Sequence, residues 1–191
     1  MESSLGREAT KVPSDRPTAR PPMSDDLATI YLRDVKERFR AHKKLGEGAI
    51  RQVYDRGLTD RLDPDSNSIA ILVKHLAGNM RSRWTSFLTT DGEKPDRNRD
   101  AEFEDAPGLR REELFEWWDD GWARLFEALD QLTPADLSRT IIIRGHPRPV
   151  VEAINTQLAH YAYHVGQIVQ LARHLAGPRW TTLSIPKRKP D

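Results

Sequence analysis

The sequence predicts an all-α protein: one bundle of four helices. Apolar residues recur at helical spacing in four long segments, near residues 24–54, 67–88, 110–132 and 149–176. Helix starters and stoppers flank those segments. Strand-like composition is confined to one short stretch. Long amphipathic helices with little strand content bury their apolar faces against one another, so a four-helix bundle is the natural architecture.

The first helix starts at Ser24 or Asp25, a good cap with acids in the first turn. Leu27, Ile30, Tyr31, Val35 and Phe39 form its apolar stripe. Gly46 and Gly48 weaken the pattern by roughly 1 kcal/mol each relative to alanine, so it ends there or runs on through Val53. Asp63-Pro64-Asp65 marks a turn. The second helix begins near Asn67 or Ser68, carries Ile69, Leu72, Val73, Leu76 and Met80, and runs to about Leu88. A polar connection follows from Thr89 to Gly108, of a length usually reserved for functional or crossover loops. The third helix is the aromatic one, with Trp117, Trp118, Trp122 and Phe126 on a broad apolar face. The β-branched run Thr140 to Ile143 reads as one arm of a small hairpin whose turn holds His146-Pro147. The fourth helix stops at Gly177-Pro178.

Residues 1–23 are rich in Pro, Ser, Arg and Thr and read as a disordered tail; residues 24–177 form the bundle, and 178–191 a C-terminal tail. Thirty basic residues balance 29 acidic ones, for a net charge of +1. That argues against a nucleic-acid partner, which needs a basic surplus. No run reaches the roughly 20 apolar residues of a membrane span, and the N-terminus lacks the apolar core of a secretory signal. A cytoplasmic location is the expectation. There is no cysteine, so any metal must be held by imidazole, carboxylate, amide or water.

His160 and His164 are four residues apart, a spacing that stacks two imidazoles on one helix face. Leu158, Val165, Ile168 and Leu171 around them turn that face toward the core. His75 sits mid-helix beside Leu72 and Leu76. A lone histidine there is more often a satisfied core residue than a ligand. Three half-buried histidines on two helices make the better case for a metal, with positions left open as in catalytic sites. His42, His146 and His174 are expected to be exposed. Tyr161 and Tyr163 fit simple packing. Asn79 lies one turn after His75 and is a candidate to orient a bound water or substrate. Arg83, a further turn on, and Arg81 are candidates to receive a carboxylate, against the commoner role of solvated arginines. Gln157 and Gln167 are candidates to hold the outer nitrogens of the histidine pair. Trp84 fits the pocket mouth or the core equally well.

The segments PDSNSIAILVKHLAGNMRSRWTSFLTTDGEKPDRNRDAEFE and EAINTQLAHYAYHVGQIVQLARHLAG resemble the DinB/YfiT-like superfamily of bacterial metalloenzymes. More narrowly, they resemble a branch catalogued as a domain of unknown function. The resemblance covers roughly residues 24–177. It implies helices in up-down-down-up order, with Thr89 to Gly108 as the crossover between helices 2 and 3. It also implies a nickel or zinc site formed by His75, His160 and His164. Some members of the superfamily are thiol S-transferases using a low-molecular-weight thiol, and others are hydrolases. The expected function is therefore a metal-dependent enzyme that activates a thiol or water, S-transferase-like first and hydrolase second. A non-catalytic metal- or ligand-binding stress protein is the alternative from another class. Five tryptophans, three of them in helix three, and the resemblance itself predict a homodimer acting on a small molecule.

Overall fold

The computed structural model describes residues 26–185. The predicted disordered tail and the Ser24 and Asp25 caps lie outside those residues, as do residues 186–191. The described chain is mostly helical, with helices α1 (Leu27–Ile50), α2 (Ile69–Trp84), α3 (Arg111–Asp130) and α4 (Val150–Ala176). One two-stranded antiparallel sheet, β1 (Thr140–Ile143) and β2 (His146–Pro149), interrupts the all-α pattern. Among the described residues no helix is long and apolar enough to cross a membrane.

Local chemistry explains the boundaries. Asp26 caps α1, its Oδ1 accepting the Thr29 N–H at 2.7 Å, and Ser68 Oγ does the same for the Ile71 N–H of α2 at 3.2 Å. At α3 the Glu113 carboxylate reaches back to the Arg110 N–H at 3.0 Å. Helix α2 stops four residues earlier than expected. Thr85 is extended and Ser86 takes a left-handed φ of 50°, so Phe87 enters the core from a separate turn. The hairpin turn also differs. Arg144 and Gly145 form it, both at positive φ, as a two-residue turn matched to strand twist requires. His146 and Pro147 belong to β2 instead.

Helix α2 packs along α3, and α1 along α4, with further contact between α2 and α4. Each helix contributes one aromatic ring to the centre. Phe39 lies 6.2 Å from Trp84, 6.4 Å from Trp122 and 5.9 Å from Tyr161 between ring centroids. The Trp84 indole N–H donates to the Tyr161 hydroxyl at 2.9 Å, which satisfies the polar atoms of two rings that have almost no exposure. Trp84 is therefore core, not pocket mouth. Beyond α4 the chain turns back on α1: Trp180 packs against the core and Gln52 exchanges hydrogen bonds with the Thr181 backbone.

Candidate metal centre

Helix α4 places His160 and His164 on one face, with ring centroids 4.8 Å apart. The α2–α4 contact brings His75 opposite them, at 5.3 Å and 5.0 Å between rings. The potential donor atoms of all three lie within 4.8 Å of one another. His75 Nε2 and His160 Nε2 are 3.2 Å apart. Nitrogens at that distance share either a proton or an ion. Two ligands on a tetrahedral zinc with bonds near 2.0–2.1 Å would be about 3.3 Å apart, so the spacing is compatible with an ion as well as with a shared proton.

Two of the three outer nitrogens are occupied. His75 Nδ1–H donates to Glu102 Oε2 at 2.8 Å, and His164 Nδ1–H donates to Gln167 Oε1 at 2.8 Å. These bonds select the tautomer whose Nε2 lone pair faces the cluster. Sequence reasoning anticipated Gln167 but missed Glu102. Glu102 lies in a short 3-10 turn, Asp100–Phe103, within the long connection between α2 and α3. Arg97 grips its carboxylate twice, Nε to Oε1 and Nη2 to Oε2, each at 2.8 Å. Burial alone would raise the Glu102 carboxyl, but the bonds from Arg97 and His75 outweigh it and hold it below its ordinary value. The only signal in the sequence was the length of the connection.

The connection is anchored where it passes the site. Gly92 N–H donates to Ile142 O at 2.8 Å, and Lys94 N–H to Ser82 Oγ at 2.8 Å. Asp91 accepts the turn N–H groups of Arg144 and Gly145, each at 2.8 Å. Gly78 lets the loop approach α2, because a Cβ there would overlap the Glu102 carboxylate.

Burial pushes His160 down to about 3, helped by His164 and His75 as like-charged neighbours. Burial also brings His164 down to about 4 against the hydrogen bond to Gln167. Both rings are neutral at neutral pH, the form that binds metal. The three histidines border a cavity of about 230 Å³. Asn79, Arg97, Arg99, Phe103, Arg144 and Tyr163 complete its wall.

The other candidates divide. Asn79 is brought to the cavity, its Oδ1 accepting the Tyr161 hydroxyl at 2.8 Å. Arg83 is buried one turn beyond it. Arg81 is not brought to the histidines; it pairs with Asp120 of α3 at 3.1 Å. Gln157 is buried on α4, and its Oε1 has no hydrogen-bond partner. Tyr161 is core, whereas Tyr163 is 55% exposed at the cavity edge, its ring edge-on to His160 and tilted against His164. His146 and His174 are exposed as expected, but His42 is half-buried on α1.

The family described as a protein of unknown function, DUF1572, matches residues 26–189. The chain belongs to this family. Its match spans all four helices, the long connection and the hairpin, so every residue of the histidine site lies within the family domain. No protein with a curated description matches the chain.

Proposed function

We propose that this DUF1572 protein is a metal-dependent enzyme, with His75, His160 and His164 holding one nickel or zinc ion. The observation that carries this reading is the pair of outer bonds, His75 to Glu102 and His164 to Gln167. Any buried imidazole needs a partner for its N–H, but here both bonds fall on Nδ1 and leave the Nε2 atoms of His75 and His164 facing one cluster, the arrangement a metal ligand needs. The neutral state of His160 and His164 supports the same donor set, and the 3.2 Å nitrogen spacing is compatible with it. Neutral imidazoles suit nickel and zinc alike.

An ion held by three neutral imidazoles lowers the pKa of a thiol or water that completes its coordination. Arg99 and Arg144 border the cavity, and their charge suits an anionic cosubstrate, although Glu93 offsets Arg144, and Glu102 and Glu93 together engage Arg97. That favours transfer of a low-molecular-weight thiol to an electrophile. In this reading Asn79, whose Oδ1 accepts the Tyr161 hydroxyl, orients the bound molecule. The same reading makes the protein a member of the DinB/YfiT-like superfamily, with helices in up-down-down-up order. Residues 85–110, the connection between α2 and α3, are long enough for the crossover that order needs.

Metal analysis of protein purified without an affinity tag, followed by a screen of thiols and electrophiles on that sample, tests the reading. Stoichiometric nickel or zinc with thiol turnover is the expected result. Ester or amide hydrolysis without thiol transfer would make water the activated group. Tight metal without any turnover would leave a binding protein.

A further inference from the structure

A second cavity, of about 670 Å³, lies between α2, the hairpin and α4. Two buried side chains on its wall carry polar atoms without a hydrogen bond. Arg83 is 5% exposed, and its Nε and Nη1 make no hydrogen bond. Its Nη2 is 3.8 Å from Glu93 Oε2, a carboxylate already engaged by Arg97 at 3.1 Å and Arg144 at 3.2 Å. Gln157 is also 5% exposed, and its Oε1 accepts nothing. Burying a guanidinium without its bonds is costly, so a native chain that does so commonly has a use for the charge.

The wall has one sign of charge. Arg83, Arg144 and Arg148 line it, and among the described residues no Asp or Glu does; Glu93 and Glu152 pair with these arginines from outside the lining. Asn79, Arg144, His160 and Tyr163 border both this cavity and the histidine cavity, so the two adjoin.

We propose that the Arg83 cavity binds the carboxylate of a small substrate, with an amide N–H of the same molecule donated to Gln157. The planar fork of arginine matches a carboxylate with two parallel bonds. Gln157 Oε1 needs a donor, which a simple carboxylate lacks and an acylated amino acid has. The site deepens the metal-enzyme reading by naming the end of the substrate away from the reacting atom. It rests on that reading only for what happens at the other end.

Titration calorimetry on the full chain, chelator-treated and zinc-loaded, tests it with N-acetylglycinate, acetate and inorganic phosphate. N-acetylglycinate should bind even the chelator-treated protein, and more tightly than acetate. Arg83→Met should weaken it roughly tenfold or more, the loss expected for a charged hydrogen-bonded pair. Gln157→Leu should abolish the preference over acetate. Arg81→Met, whose guanidinium is paired with Asp120, should bind like the wild type. Arg83→Met should also melt no lower than the wild type, because it removes a buried charge without full pairing. If Arg83→Met fails to fold, Arg83→Lys keeps the charge without the fork and must still weaken binding. Overturning results are no binding to chelator-treated protein, unchanged affinity in the Arg83 variants, or tighter binding of phosphate. Loss of the metal reading alone would appear as anion binding in a protein that takes up no ion.

Discussion

Glu102 Oε2 accepts the His75 Nδ1–H at 2.8 Å, and this bond joins the long connection between α2 and α3 to the histidine cluster on α2 and α4. Glu102→Gln keeps the shape but loses the charge that makes the imidazole a stronger donor. Metal affinity should fall about 10–100-fold, read by competition with a coloured chelator. Glu102→Ala also strips Arg97, whose side chain is 5% exposed, of its main partner. Unfolding in denaturant should then show a loss of about 3–5 kcal/mol. Unchanged metal affinity in both variants would mean that Glu102 serves only Arg97.

Gly78→Ala separates helix stability from site geometry. Alanine favours the helix by about 1 kcal/mol over glycine. Its Cβ would nonetheless overlap the Glu102 carboxylate and push the connection away from α2. Metal affinity should drop toward that of Glu102→Gln while far-ultraviolet circular dichroism keeps its helical signal. An alanine variant with full affinity would show that the connection tolerates the displacement.

His164→Ala removes one proposed ligand from a helix whose stability comes mainly from its apolar face. Metal content should fall to background and thiol transfer with it, with the helical signal retained. Full turnover in metal-free His164→Ala protein would show that the ion takes no part in the reaction.

Trp122 is fully buried and meets Phe39, Tyr161 and Trp118. Trp122→Ala should cost about 3–5 kcal/mol in denaturant unfolding, because the ring touches elements that cannot all collapse into its space. A loss below 1 kcal/mol would mean that the aromatic centre is not where the helices are held together.

A homodimer remains the expectation from the superfamily resemblance. The tryptophan argument for it does not survive, since Trp84, Trp118 and Trp122 are covered within one chain and Trp117 and Trp180 are partly covered. Light scattering across a wide concentration range should report twice the chain mass of 21.9 kDa. Monomer throughout would remove the expectation.

The four helices and the histidine pair were legible in the sequence because both depend on local periodicity. A 3.6-residue repeat shows which side of a helix is buried, and a spacing of four stacks His160 over His164 whatever the rest of the chain does. His75 was legible as a candidate only, since its face was clear but its neighbour was not. Tertiary structure alone decided the rest. It set α2 against α4 so that His75 meets the pair, and it carried Glu102 across a connection with no periodicity to read. It decided what met each side of α2: Arg81 reaches Asp120, while Arg83, one residue beyond Ser82 and on a different side of the helix, borders a cavity. Contacts between residues far apart in the chain depend on how whole faces pack, and no short window of sequence encodes that.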